Sequence, residues 1–370
     1  MTFRWTSTPG AATAPEAPLI PPGSVPPLIP GIDLWDHWPV LGEDGRLVTV
    51  AGGQLVIALS APRLPDPDAR HAVARLRLLH RRLDGWRDLG PLLPDGLSPG
   101  SREWAGSAML DASGTSLMLY FTAAGVRGEA ALGYEQRLLA TRGTIRIEGD
   151  RPVPDGWTPP VELVRPDGTT YEIDLAGGGA VGTIKAFRDP FHFRDPADGR
   201  EYLLFSGSRA RAANPWNGLV GAATRDGDGG SENWRLLPPL VDADGVNNEL
   251  ERPHAVAHDG GVYLFWSTQA KVFAPDMAGR TGLYGVVADT MAGPWRPLNG
   301  TGLVFANPAA APAQAYSWQV LPDLSVWSFA DLVGLAAPPT TPAAARAAFA
   351  GSPAPALQLA LVGDRAMLTL

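Results

Sequence analysis

The sequence predicts an all-β protein built as a β-propeller, on two recurrences and one scarcity. Four short apolar runs follow polar, glycine-containing turns: "GRLVTVAGGQLVIALSA" from Gly45, "SGTSLMLYFTA" from Ser113, "DGREYLLFSGS" from Asp198 and "DGGVYLFWSTQ" from Asp259. Their β-branched and aromatic residues suit strands, and Asp198-Gly199 and Asp259-Gly260 are hairpin-turn dipeptides. A second element, Trp-Arg-x-Leu, recurs at Trp86, Trp234 and Trp295. Similar strands with similar tryptophan edges, spread over the whole chain, read as blades. Helical signals are few, and the best is "TPAAARAAF", with Thr341 as cap and Pro342 in the first turn. The 43 glycines and 37 prolines supply the tight connections of a propeller, or of the alternative all-β arrangement, a pair of sandwiches.

Taken from the N-terminus, residues 1–30 are rich in proline and alanine and read as an extended arm laid on the surface. They lack the basic start and apolar core of a signal peptide. The remainder fits one large domain, since all-β units often exceed the usual domain size, and 45% hydrophobic residues are ample for its core. The stretch "RHAVARLRLLHRRLDGWR" from Arg70 alternates Arg75 and Arg77 with Leu76 and Leu78, a strand with one wet face. A net charge of −8 argues against a nucleic-acid partner. No run approaches the length of a membrane-spanning helix, so no membrane partner is expected. Cysteine is absent, which excludes disulfides, thiolate zinc sites and thiol catalysis and leaves the compartment open. The six histidines show no metal-ligand spacing, and His254 and His258 lie far apart along a strand. "LAGGGAVGTIK" from Leu175 lacks the strand and helix of a phosphate loop and suits a funnel loop.

In a propeller the strand starts nearest the axis line a central funnel, so functional residues arrive from several blades, far apart in sequence. Acidic residues beside apolar strand starts occur in three places. "GIDLWDHWPV" sets Asp33 and Asp36 among Trp35, Trp38 and Pro39, and aromatic walls suit the C–H faces of sugar rings. "IKAFRDPFHF" sets Arg188 beside Asp189, where the cation is expected to lower the carboxyl's pKa and keep it ionised. The near copy at Arg194 and Asp195 runs into an Asp-Gly turn and reads as hairpin chemistry. "NNELERPHAV" sets Glu249 and Glu251 two apart, on one face of a strand with Arg252 on the other. Each motif alone is equally a turn, a core tryptophan pair or a surface ion pair. Together they demand a common explanation.

The motifs "LWDHWP", "EWAGSA", "FRDPF", "NNELERPH", "LYGVVAD", "PLNGTGLV" and "QAYSWQVLPDL" resemble, in order, those of glycoside hydrolase family 68, from about residue 30 to residue 331. That family comprises levansucrases, inulosucrases and β-fructofuranosidases acting on sucrose. The resemblance implies a five-bladed propeller with an axial active site. It implies Asp36 as nucleophile, Glu251 as general acid/base and Asp189 as transition-state stabiliser. Trp35, Trp104, Arg188, Glu249 and Tyr316 match sucrose-pocket positions, and Gln269 falls at the pocket edge that helps set acceptor binding. Retaining chemistry requires two carboxyls about 5 Å apart, one ionised to attack and one protonated to donate. Glu251 is therefore expected to be raised in pKa, with Asp36 held ionised by hydrogen bonds. No metal or organic cofactor is required.

Four departures from the family pattern bear on function. Ala105 replaces a serine that often supports the nucleophile, Ser206 replaces a frequent glutamate, and Gln269 replaces an arginine or histidine. Asn248 replaces the aspartate of calcium-binding members, so no bound calcium is expected. The implied activity is a sucrose-cleaving fructosyltransferase that passes fructosyl to sugar acceptors, including fructo-oligosaccharides, or to water. The alternatives are a β-fructofuranosidase that mainly hydrolyses sucrose and a non-catalytic sugar-binding propeller. The resemblance implies secretion, although no signal peptide is visible.

Overall fold

The computed structural model describes residues 1–6, 15–173, 184–225 and 233–369. Five antiparallel sheets stand around an axis. Blade 1 comprises Ile32–Pro39, Gly53–Pro62, Arg75–Arg82 and Gly85–Pro91. Blade 2 comprises Arg102–Leu110, Ser116–Ala124, Gln136–Glu148 and Arg151–Asp155. Blade 3 comprises Phe187–Arg194, Glu201–Ser208, Gly218–Arg225 and Arg235–Asp242. Blade 4 comprises Glu251–His258, Gly261–Thr268, Gly282–Ala288 and Arg296–Pro297, with Leu303–Ala306 added to its third strand. Blade 5 comprises Ala315–Val320, Ser325–Leu332, Leu357–Val362 and Arg365–Thr369, with Phe349–Pro353 on its second strand.

The two recurrences sort by position in the blade. The four apolar runs are the second strands of blades 1 to 4, buried because a sheet lies against each face. The first run contains only one strand, because Ala51-Gly52 turns the chain and the strand begins at Gly53. The Trp-Arg-x-Leu elements open the outermost strands of blades 1, 3 and 4. Blade 5 has the same second strand, yet its turn is Asp323-Leu324 and so lacks the glycine signal. Leu324 takes φ 63°, the left-handed conformation that Gly199 takes at 73° and Gly260 at 77°. A leucine in a glycine conformation hid the fifth repeat.

Apolar cores lie between neighbouring sheets. Tyr120 and Leu138 of blade 2 pack with Phe187, Leu203 and Phe205 of blade 3. Phe191 and Leu204 of blade 3 pack with Leu264, Trp266 and Tyr284 of blade 4. Leu34, Val56 and Leu79 of blade 1 pack with Leu321 and Trp327 of blade 5. The ring is closed by charge as well. Asp33 of the first strand is fully buried and accepts from Arg346, which stands on the helix Pro342–Ala348, and from Arg63. That helix starts as expected, with Thr341 Oγ1 accepting from the Ala344 N–H.

In its described residues the N-terminal arm is a strap. Phe3–Arg4 adds a parallel edge to the outer strand of blade 3, Glu16 pairs with Ala306 of blade 4, and the Ile20 N–H donates to Gln314 beside blade 5. Trp5 is 2% exposed, wedged against Trp266, Phe273 and Tyr284.

All five innermost strands share one irregularity. Register breaks fall between Leu34 and His37, Trp104 and Gly106, Arg188 and Phe191, Glu251 and His254, and Tyr316 and Gln319. In three of them a non-glycine residue takes a left-handed φ: Asp189 at 62°, Arg252 at 50° and Ser317 at 62°. A bulge interrupts the alternation of side chains and re-aims a residue. Here each bulge falls within a family motif. Gly106 sits in the blade 2 bulge, where an added Cβ would meet the Tyr120 carbonyl oxygen at 2.0 Å.

Because Trp5 fills an aromatic socket on blade 4, Trp5→Ala is expected to cost about 3–5 kcal/mol. Thermal unfolding measures this, and a loss below about 1 kcal/mol would show that the strap carries no stability.

Candidate active site

One end of the axis opens into a pocket of about 250 Å³. The bulges feed it: Trp35 and Asp36 from blade 1, Trp104 from blade 2, Arg188 and Asp189 from blade 3, Glu251 and Arg252 from blade 4, Tyr316 and Ser317 from blade 5. Glu249 and Gln269 complete the set, so all nine residues expected to be catalytic or substrate-binding line this one cavity. The other end of the axis holds a cavity of about 340 Å³ walled by Pro39, Met109, Phe193, Ala257 and Leu321. None of the predicted residues reaches it.

Arg188 is shared by the acids. Its Nη2 lies 2.9 Å from Glu251 Oε1 and 3.7 Å from Glu249 Oε2, and its Nε lies 3.8 Å from Asp189 Oδ2. The Tyr316 hydroxyl donates to Glu251 Oε2. Asp189 Oδ2 accepts from Ser206 Oγ at 2.9 Å and from the Arg252 N–H at 3.1 Å. The Asp189 N–H donates to Thr122 Oγ1, which in turn donates to the Ala105 carbonyl. Ser206, a departure from the family pattern, is thus the hydroxyl that holds Asp189.

Glu249 and Glu251 do converge, although not as neighbours on one strand face. The strand begins at Glu251, and Glu249 enters from the preceding turn, where its N–H donates to Asn247 Oδ1. Arg252 is not on an opposite, wet side either. Its left-handed φ drops the side chain into the axis, 6% exposed. There Nη1 donates to Ser317 O and Oγ, and Nη2 donates to the His37 carbonyl and to Gln319 Oε1. With its Oγ accepting from Arg252, the Ser317 hydroxyl keeps its proton for Asp36, whose charged form it favours. Support for Asp36, which Ala105 cannot give, comes from Ser317.

Electrostatics correct one expectation. Arg188 beside Asp189 does favour the charged form, but burial outweighs it and pushes Asp189 up to about 6, with Glu251 and Asp36 adding repulsion. Burial also pushes Asp36 above the usual carboxylate range, against the opposing pull of Arg252 and the Ser317 hydrogen bond. Glu249 is pushed up to about 7 by burial and then by the charge of Glu251. In the unfilled pocket the carboxyls therefore compete for protons.

The histidines are placed by packing. His254 accepts from the Val320 N–H at Nε2 and faces the Arg252 carbonyl at Nδ1, and burial pushes it down to about 3. His37 stacks on Trp327 and is likewise pushed to about 3 by burial. Neither lines the pocket. Asp195, in the second Arg-Asp-Pro, accepts from the Ala197 and Met291 N–H groups and is structural, as expected. Most of "LAGGGAVGTIK" lies outside the described residues. Its last two do not: Ile184 lines the pocket, and the Lys185 ammonium donates to Asn217 Oδ1 and Asn248 Oδ1.

Sequence reasoning missed Arg252, Ser317, Arg70, His71, Arg102, Tyr134 and Asp331 in this wall. Arg252 and Ser317 stand inside quoted motifs, one residue beyond Glu251 and Tyr316, and a bulge signal at those positions would have found them.

Comparisons with known proteins decide the class. A family model described as Levansucrase/Invertase matches residues 13–217 and 209–370. The chain belongs to glycoside hydrolase family 68. Within this family, levansucrase LscA of Pseudomonas savastanoi pv. glycinea is 31% identical over 95% of this chain and 89% of its own. The structure of an inulosucrase from Halalkalicoccus jeotgali bound to kestose is 37% identical and superposes with a TM-score of 0.90, covering 100% of this chain and 95% of that one. The β-fructofuranosidase catalytic domain of Microbacterium saccharophilum K-1 is 25% identical with a TM-score of 0.80, covering 100% and 91%. The five-bladed expectation holds in the family-68 chain described here.

Glu249 supplies a test of the electrostatics. A carboxyl whose folded pKa lies above its ordinary 4.5 binds its proton more tightly when folded, so its contribution is full below 4.5 and lost as pH rises to about 7. The stability of wild type relative to Glu249→Gln is expected to fall across that window by, at most, on the order of 3 kcal/mol. Thermal unfolding of both proteins from pH 4.5 to 8 measures it. A wild-type advantage that grows with pH would mean Arg188, not burial, governs Glu249.

Proposed function

We propose that Asp36, Asp189 and Glu251 cleave sucrose by a two-step retaining mechanism with the fructosyl unit held on Asp36. The chain is a sucrose-cleaving fructosyltransferase of its family, and one observation carries the residue roles: three carboxylates from three blades meet in one pocket between two buried arginines. In the first step an Asp36 oxygen attacks the anomeric carbon of the fructosyl unit. The bond to the glucose oxygen breaks, and that oxygen takes a proton from Glu251. Asp189 holds fructosyl hydroxyls as positive charge develops at the ring. In the second step Glu251 removes a proton from an acceptor hydroxyl, which attacks the same carbon and releases Asp36.

Arg188 and Tyr316 fix both Glu251 oxygens, which aims the carboxyl at the leaving group. Trp35 and Trp104 supply apolar walls for the rings. The likeness to an inulosucrase bound to kestose supports fructo-oligosaccharides as acceptors. A second reading, mainly hydrolysis, is favoured by the neutral Gln269 at the pocket edge and by the likeness to a β-fructofuranosidase.

A sucrose time course that quantifies free glucose and free fructose together tests these roles. Glucose in excess of fructose, with a ladder of larger sugars, is expected for transfer, and equal amounts mark hydrolysis. Asp36→Ala is expected to abolish glucose release while its melting temperature stays within a few degrees. Appreciable release by that variant would remove Asp36 from its role.

The Arg252–Ser317–Asp36 chain gives a second expectation. Ser317→Ala removes a hydrogen bond to a charged group and is expected to lower kcat roughly 10- to 100-fold. It should also move the acid limb of the kcat/KM profile to higher pH, because the lost donor favoured the ionised Asp36. Adding Ala105→Ser, which offers a hydroxyl from blade 2, is expected to restore part of the loss. No change in kcat for Ser317→Ala would show that Asp36 needs no support.

A further inference from the structure

Among the acids of the pocket wall other than Asp36, one has no protein partner. Asp189 accepts from Ser206, Glu249 from Asn248, Glu251 from Arg188 and Tyr316, and Asp68 from Arg70. Asp331 lines the same cavity, and among the described residues its carboxylate accepts no hydrogen bond and forms no ion pair. Arg70, the cation that acts on it most strongly, is turned to the Pro67 carbonyl and Asp68 and lies over the rings of Trp35 and Phe349. A half-buried carboxylate that lines a pocket and is unserved by protein donors is open to a donor from whatever fills that pocket.

The backbone places it there on purpose. Asp331 sits at a register break in the second strand of blade 5, between Ala330 and Leu332, and its N–H donates to the Gln314 carbonyl. Phe329, two residues earlier, lines the pocket as well, so this end of the strand presents that face to the ligand. The strand that carries it packs against Ile32–Pro39, the strand of Asp36, which sets Asp331 on the Asp36 side of the cavity. Asp36 meets the fructosyl unit and Glu251 the departing glucose.

We propose that Asp331 accepts a hydrogen bond from a hydroxyl of the fructosyl unit and is a specificity-determining residue of the pocket. This rests on the reading of the pocket as a sucrose site. The hydroxyl supplies the donor that the protein withholds, and the carboxylate supplies a charge-assisted acceptor that a ligand deoxygenated at that position cannot use. Such a ligand covers the carboxylate and leaves it unpaired, which is how a polar pocket rejects it.

The test compares wild type with the isosteric Asp331→Asn on sucrose and on a series of monodeoxy sucroses, reading kcat/KM from glucose release. Asp331→Asn is expected to lower kcat/KM for sucrose roughly 10- to 100-fold. For the one analogue that lacks the partner hydroxyl on the fructosyl unit, wild type and variant should agree within about twofold, as a double-mutant cycle requires. Equal losses on every analogue, or none on sucrose, would overturn the inference. A selective effect at a glucosyl hydroxyl would overturn the fructosyl assignment. If Asp331→Asn fails to fold, wild type alone decides it: kcat/KM must fall by a like factor for at least one fructosyl monodeoxy sucrose, and a flat series overturns the proposal. Failure of wild type to release glucose from sucrose would instead sink the sucrose reading itself.

Discussion

Arg252 is the constraint on which the rest of the site depends. It brings a full charge to the axis of the propeller and bonds across it: to His37 of blade 1, to Ser317 and Gln319 of blade 5, and through its backbone N–H to Asp189 of blade 3. A guanidinium suits this task because its donors are fixed in a plane and it stays charged when buried. Burial weakens even that charge here, and the carboxylates around it restore part of it. The consequence runs both ways. Without Arg252 the acids would be left with Arg188 alone, and without the acids Arg252 would be an unpaired buried charge.

The pocket is therefore a desolvated charge cluster held by geometry. Burial in the cavity raises Asp36, Asp189 and Glu249, and two arginines recover only part of that rise, so Asp189 is pushed up to about 6 and Glu249 to about 7. Local backbone strain accompanies this. Asp189, Arg252 and Ser317 all take left-handed φ values that cost non-glycine residues energy, and all three lie in bulges facing the cavity. The sheets behind them, packed blade on blade, over-determine those conformations.

This division explains what was legible in the sequence. Second strands could be read because burial on both faces writes them as apolar runs, and the fifth escaped only because Leu324 replaces the expected turn glycine. The motif acids could be read because carboxylates beside apolar strand starts are rare without a use. Arg252 was placed on the wrong face by the same rule of alternation that found the strands. A bulge breaks that rule, and nothing in "ERPH" alone announces φ 50° at the arginine. The net rise of Asp189 was equally hidden, because a neighbouring arginine is visible in one dimension and burial is not. Asp331 lay outside every motif, on a second strand, where only the fold brings it to the ligand.

The same geometry separates bond cleavage from the fate of the fructosyl unit. The acids proposed to act on the glycosidic bond stand on bulged inner strands locked by Arg188 and Arg252, where a shift of one side chain disturbs four blades. Parts of the pocket mouth have a different origin: His71 comes from the short 3-10 turn Pro67–Ala72, Leu132 and Tyr134 from the connection after Ser116–Ala124, and Gln269 from the end of Gly261–Thr268. The Leu132–Tyr134 connection is pinned by Glu129, which binds Ser101, Arg102 and the Val126 and Gly133 N–H groups, so it is a firm wall although it belongs to no strand. Residues of this kind can change without loosening the charge cluster beneath. Loops of this kind are where relatives with one scaffold can differ in function.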